Sequence, residues 1–334
     1  MSDTVDGLLA KGQAALDHGD WSGARDAFRA VLDRADRADA QFGLAEAAWW
    51  LGDIDASIRS RERSFAAYRR QPEPKRAALA AILLCLDYRQ QVGNPVAAAG
   101  WLARATRLIE EHAIDELRGW LLFATSFTSD DLESAERWAG EARELAHEAG
   151  DTDLELCALS EVGAVLVRQG RVAEGVRWLD EAMAGSLGGE GGHPGTVVFT
   201  SCMMITSCTD CAEFERAVHW VRETQRFAER YGCPFLYAEC RIVLVELLGT
   251  GDWRQAEEEH ARCSTWRRGR FRPCTVGPRP PWPSCGSPRA ALPRPSGWWP
   301  ISTTTRRRRP GWRSSTWSTA VRRPRSPSSS AGST

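Results

Sequence analysis

One spacing recurs through the first 259 residues, and it restricts the fold more than any motif does. Residues suited to a tight loop stand at Gly19, Gly52, Gly93, Asp130, Gly170, Ala212 and Gly251, separated by 33, 41, 37, 40, 42 and 39 residues. Five positions after each comes a small residue: Ala24, Ser57, Ala98, Ala135, Gly175, Ala217 and Ala256. Asp or Asn follows the loop position in five units (Asp20, Asp53, Asn94, Asp131 and Asp252). A short polar side chain there accepts hydrogen bonds from the free N–H groups that open a helix. The Gly before it suits the left-handed residue that closes the preceding helix. An apolar residue usually comes next (Trp21, Ile54, Leu132, Val172, Phe214 and Trp253, with Pro95–Val96 in the third unit) and would staple the turn.

Each unit thus reads as helix, short turn, helix. The small residue lets the two antiparallel helices approach, where a bulky one would hold them apart. A single pair cannot bury its apolar face, so neighbouring units must stack. The expectation is an all-α solenoid of about seven helical hairpins over residues 1–259. Its pattern resembles the tetratricopeptide repeat, most clearly in Leu8, Gly12, Ala15, Gly19, Ala24 and Phe28 of the first unit. The ideal period of that repeat is about 34 residues, so these units carry longer helices or longer connections. The Gly-rich stretch Gly185–Gly195 falls between the fifth and sixth units and reads as a flexible loop. No strand precedes it and no Gly-Lys-Ser/Thr follows, which argues against a phosphate cradle.

After Glu259 the composition changes abruptly. All 44 acidic residues precede that point, and residues 260–334 hold no Lys but 16 Arg, 12 of the 17 Pro and 6 of the 15 Trp. The first 259 residues carry 27 basic against 44 acidic side chains, a net charge near −17, while the tail is near +16. Three readings of the tail stand open. Arg with interleaved Trp, focused on Arg306–Arg309, fits phosphate contact and base stacking. Pro and Ser at this density also fit a solvated, disordered segment. The third reading is a GC-rich gene translated out of frame, consistent with 41 Arg against Lys11 and Lys75 alone. Back-translated with G or C at each third codon position (TCN for Ser) and read from that base, Ser315–Ser330 becomes apolar, then Gly-type, then Ala-rich. That is the grammar of the upstream units, and the out-of-frame reading is the one favoured here.

Three strings in the array carry a resemblance. Ala47-Ala48-Trp49-Trp50-Leu51-Gly52-Asp53, Gly93-Asn94-Pro95 with Gly100-Trp101-Leu102-Ala103-Arg104-Ala105, and Arg230-Tyr231-Gly232-Cys233-Pro234-Phe235-Leu236-Tyr237-Ala238 are similar to the tetratricopeptide sensor region of large LuxR-type transcriptional regulators of GC-rich bacteria. The similarity covers roughly residues 7–259. It implies a sensor and interaction arm that holds a protein partner or small ligand in the solenoid groove. In that family a helix-turn-helix domain follows the array. Residues 260–334 hold no such pattern, so no DNA-binding residue is carried over, and an array near −17 should repel DNA. A free-standing scaffold for a protein partner is the alternative, and a truncated product without function is another. A seventh hairpin broken after Ala256 would leave an uncapped end prone to self-association.

No catalytic, cofactor-binding or metal-binding residue is expected. Cys208 and Cys211 form a lone C-x-x-C, with Cys202 upstream and Cys233 and Cys240 downstream. A four-ligand zinc site pairs two such motifs, so buried thiols are the simpler reading. His18, His112, His147 and His219 lie beside turns or on helix ends and faces, and neither HExxH nor G-x-S-x-G occurs. Acidic pairs such as Glu110–Glu111 and Glu257–Glu259 fit solvated helix faces. Trp49, Trp50, Trp101, Trp120, Trp138, Trp178 and Trp220 are expected mostly in the core, with a few lining the groove. The acidic start lacks a signal-peptide pattern and no stretch of 18 apolar residues occurs, so a cytoplasmic protein with reduced thiols is expected.

Overall fold

The first helix of each pair and the second bury their surfaces differently, and this difference sets the architecture. The computed structural model describes residues 4–231. Twelve helices occupy that span: α1 (Val5–Asp17), α2 (Trp21–Leu32), α3 (Ala38–Trp50), α4 (Ile54–Arg70), α5 (Pro74–Asp87), α6 (Pro95–His112), α7 (Arg118–Thr128), α8 (Leu132–Ala149), α9 (Thr152–Arg168), α10 (Val172–Gly188), α11 (Pro194–Asp210) and α12 (Phe214–Tyr231). A π turn (Tyr88–Val92) extends α5, and a 3-10 turn (Asp115–Leu117) leads into α7. Thirteen of the 17 residues of α9 are buried, against four of 18 in α8. Of the odd-numbered helices, α3, α5, α9 and α11 are mostly buried, whereas the even-numbered ones are amphipathic and form the outer layer.

The chain has the expected all-α, tetratricopeptide-like solenoid fold, with six hairpins among the described residues. The seventh unit, with Gly251 and Ala256, and the whole segment after Glu259 lie outside them. The turn residues behave as their chemistry requires. Gly19, Gly52, Gly93 and Gly170 take φ values of 70°, 76°, 67° and 85°, and Ala212 takes 63° despite its Cβ. Asp20, Asp53 and Asn94 cap α2, α4 and α6 by accepting from the backbone N–H three residues on. The Asp130 turn differs: Ser129 is extended (φ −79°, ψ 140°), and its hydroxyl accepts from the Asp131 N–H at 3.1 Å. Arg171 provides no side-chain cap for α10. Its guanidinium instead joins Glu136 on α8 to Glu174, both at 2.8 Å.

The small residue of every described unit is buried at the crossing of its two helices. Ser57 Oγ donates to the Ala45 carbonyl at 2.8 Å, and Ser126 Oγ donates to the Ala135 carbonyl at 2.9 Å. At the tightest crossing a Cβ added to Gly175 would lie 2.5 Å from the Gly163 oxygen. The Phe28 ring fills the space over Gly12 of α1 and Gly43 of α3, tying the first hairpin to the second.

Tryptophan takes a role that helical spacing alone did not separate from core packing. Trp101, Trp138, Trp178 and Trp220 each lie eight residues after a loop position, half-buried on outer helices. Three of them meet the preceding outer helix. Trp101 packs edge-on to Phe65 at 5.0 Å, Arg143 lies over Trp178 at 5.1 Å, and Trp220 Nε1 donates to Asp180 at 2.8 Å. They bracket neighbouring hairpins on the outside of the solenoid. Expected mostly in the core, these three are instead half-buried, the wide ring filling the gap between stacked outer helices. Trp21 and Trp50 are core, stacked at 4.5 Å with planes 7° apart.

Candidate interaction surface

The inner helices do not leave an open trough, because α11 reaches across to the opposite wall. Its N-terminal residue of capping, His193, places Nε2 3.1 Å from Glu46 Oε1 of α3, 147 residues earlier in sequence, and its ring lies 6.4 Å from Trp50. Val197, Val198, Cys202 and Ile205 join one apolar cluster with Leu8, Trp21 and Trp50. On the other side, Phe199 packs against Phe123 at 5.1 Å and Phe127 at 5.5 Å, both from α7. The second, fourth and sixth hairpins thus touch around α11.

A buried carboxylate holds this crossing in place. Asp153 of α9, fully buried, accepts from the N–H groups of Gly192 (3.1 Å) and His193 (3.0 Å) and from Thr196 Oγ1 (2.6 Å). The Gly-rich stretch was expected to be a flexible loop, and the structure corrects that. Gly185–Gly188 ends α10, Pro194 begins α11, and the short link between them is fastened to Asp153. Glycine serves close approach here, since a Cβ at Gly191 would meet Asp153 Oδ1 at 2.6 Å.

Half-buried side chains remain on the inner helices: Phe42, Glu46 and Trp49 on α3, Phe127 on α7, and Phe199 and Thr206 on α11. Two buried charged sites lie beneath. Arg61 of α4 pairs with Asp87 at the end of α5, both nearly inaccessible. Burial pushes the Asp87 carboxyl up, opposed by the Arg61 guanidinium and a bond from the Trp49 side chain. Glu161 of α9 is fully buried, and only long bonds from Ser126 Oγ and Arg168 Nη2, each 3.4 Å, reach its Oε1. Its Oε2 has no partner among the described residues. Desolvation raises this carboxyl to about 7 against the pull of Arg168, Ser126 and Arg89. A half-neutral acid inside an apolar wall is an unusual thing to keep.

Among the described residues Cys85, Cys157, Cys202 and Cys208 are buried. Cys208 lies at the end of α11 with Sγ 3.4 Å from Met204 Sδ, and burial raises it to about 12. Cys211 is half-buried in the turn and also raised by burial. Among the described residues no three His, Cys, Asp or Glu side chains converge as metal ligands, and no helix is long and apolar enough to cross a membrane. Cys233 and Cys240 lie outside the described residues. His18 is exposed with Nδ1 2.6 Å from the Ala14 carbonyl, and His147 lies 3.1 Å from Glu155. Sequence reasoning did not single out His193, Glu46, Asp153 or Glu161. The only local signal was His-Pro at the start of a helix after a Gly run.

No protein-family model matches the chain, and no curated protein matches it in sequence. Solved structures do. A Rap protein complexed with Competence and Sporulation Factor is similar with a TM-score of 0.57 at 10% identity, over 79% of this chain and 76% of that one. Aspartyl phosphate phosphatase F from Bacillus subtilis is similar with a TM-score of 0.51 at 14% identity, over 78% and 69%. A STAND protein with a tetratricopeptide repeat sensor from Pyrococcus horikoshii gives 0.48 at 12% identity, over 81% of this chain and 45% of that one. At identities this low the first two likenesses speak for the fold alone, a tetratricopeptide-like array of helical repeats.

Proposed function

We propose that this chain is the sensor and interaction arm of a LuxR-like transcriptional regulator, holding a protein partner or small ligand against its inner helices. The observation that carries the ligand-holding part is the inner face around α11. There, half-buried rings (Trp49, Phe127 and Phe199) and charged groups (Glu46, Arg89 and Arg168) come from five different hairpins. A ligand touching several hairpins at once would change how they sit on one another, which is what a sensor requires. The Rap protein, of similar fold, was solved with a factor bound, which supports an array of this shape as a receptor. The regulator part rests on the strings around Trp49–Gly52, Gly93–Ala105 and Arg230–Ala238.

For this chain we propose binding rather than catalysis. DNA contact is not proposed for the array, which is acidic over residues 1–259. The out-of-frame reading of the segment after Glu259 is part of the same proposal. Resequencing the gene across the codons for Gln255 to Trp266 tests it. A single-base difference restoring a Leu- and Ala-rich frame that runs into a helix-turn-helix domain supports the regulator. A restored frame that stops soon after the array favours a free-standing scaffold instead, and a confirmed sequence leaves the basic tail as part of the chain, with its contact to nucleic acid the next question.

Ligand holding has its own test. Peptides selected from a random display library against the purified chain should lose binding to Phe127→Ala and Phe199→Ala. They should keep it in Trp138→Phe, on the outer layer. Equal binding by all three variants would refute the inner face as the site.

A further inference from the structure

We propose that the end of α11 is a binding site for a soft monovalent metal ion, copper(I), held by the sulfurs of Met204, Cys208 and Cys211. The inference does not depend on the sensor reading.

Sulfur is gathered at one place in the array. Of the four methionines, Met183, Met203 and Met204 all lie in the apolar cluster that also takes in Cys208 and Cys211. Buried methionine often serves only to fill irregular gaps in a core. Three of these sulfurs are set more closely than gap filling requires. Positions 204, 208 and 211 are spaced i, i+4, i+7, which places them on one stripe of a helix. Cys208 Sγ stands 3.4 Å from Met204 Sδ, and both residues are fully buried. At the helix end Cys211 Sγ donates to the Cys208 carbonyl at 3.8 Å, so this third sulfur leans back along the stripe towards the other two. Two sulfurs bound to one ion through bonds of about 2.3 Å stand roughly 3.7 Å apart. The first pair would have to open by only a few tenths of an ångström.

The donor set selects its occupant. Zinc in a closed site calls for four strong donors, and a lone C-x-x-C does not supply them. A thioether suits hard ions poorly, whereas thiolate and thioether together select copper(I), which two or three such ligands hold. The surrounding charges also favour a cation: Asp180, Asp210 and Glu213 bear on the two thiols, with Arg216 opposing them. Burial raises both thiols, so without an ion they stay protonated and inert. The ion displaces those two protons as it forms its two metal–thiolate bonds. A path inwards exists along the same stripe. Cys211, half-buried in the turn, offers the first sulfur, and Cys208 and Met204 follow at greater depth.

Anaerobic titration of the full chain with copper(I) buffered by bathocuproine disulfonate tests the proposal, read by the NMR signals of methyl-labelled methionine. Four methionines give four methyl signals. The first equivalent should shift the Met204 methyl, identified by its loss in the volume-conserving Met204→Leu, and leave Met1 in place. Cys208→Ala and Cys211→Ser should each abolish that shift and weaken the first equivalent by about a hundredfold or more. Cys85→Ala, far off on α5, should change neither, and zinc should leave the Met204 methyl unmoved. Uptake of copper(I) with the Met204 methyl unmoved overturns the proposal and assigns the ion to the chain's other thiols. No uptake against the chelator overturns it as well. So does a Cys211→Ser variant that binds and shifts as the parent does, and that variant, altered at a half-buried turn, keeps the test open even if Cys208→Ala does not fold.

Discussion

Glu161 is the residue whose ionisation should be felt by the whole protein. Its folded carboxyl binds a proton more tightly than the ordinary value of 4.5, at about 7, because burial penalises the charge. The native state therefore takes up a proton across that window. The stabilisation this represents is complete below about 4.5 and is lost as pH rises through about 7. Urea unfolding at a series of pH values should show stability falling over that interval. Glu161→Gln should flatten the fall and leave the variant more stable at pH 8 by on the order of 2 kcal/mol. An unchanged pH profile in the variant would assign the dependence to another group. Ala212 offers an opposite test of backbone rather than charge. It holds φ at 63° where four equivalent turns use glycine. Ala212→Gly should therefore gain about 1 kcal/mol by removing the Cβ clash of the left-handed conformation, read as a raised Tm.

At the scale of the helix pair, stability depends on how closely two backbones cross. Gly163 and Gly175 present their carbonyls to one another's Cα, so an added Cβ has backbone rather than a movable side chain in its way. Gly175→Ala should force α9 and α10 apart and cost about 1–3 kcal/mol, measurable by calorimetry. Ala98→Gly, at the equivalent position of α6, should cost only about 1 kcal/mol of helix propensity. These crossings were legible in the sequence, as were the caps at Asp20, Asp53 and Asn94, because both signals are local. The requirement for a small residue, or for an acceptor at a helix start, is complete within one hairpin. The inner contacts were not legible for the converse reason. Asp153 finds its donors some 40 residues on, and Glu46 meets His193 147 residues away. Which residues meet there depends on the summed rotation of four hairpins, and no local pattern encodes that sum. Repeat spacing likewise marked Trp101, Trp178 and Trp220 as helical, without showing that they brace the outer layer.

Over the whole molecule, the contact between α3 and α11 changes what kind of object a solenoid is. Arrays whose units touch only their neighbours unfold piecewise, each hairpin lending stability to the next. Here the second hairpin is also joined to the sixth. Removing the join with Glu46→Ala and His193→Ala together should cost more cooperativity than stability. Denaturant unfolding followed by Trp fluorescence and by circular dichroism should coincide in the parent protein and separate in the double variant. Coincident curves in both would mean that the apolar contacts around Trp50 suffice. The same join bears on ancestry. An open solenoid lengthens by duplicating a unit, since each new hairpin needs only a neighbour. In this chain a hairpin inserted between α4 and α9 would carry His193 past Glu46 by one unit's rotation and strand Trp50 without its cover. Gene duplication, the ordinary route by which repeat proteins evolve, is therefore barred from the middle of this array and left open only beyond its closure.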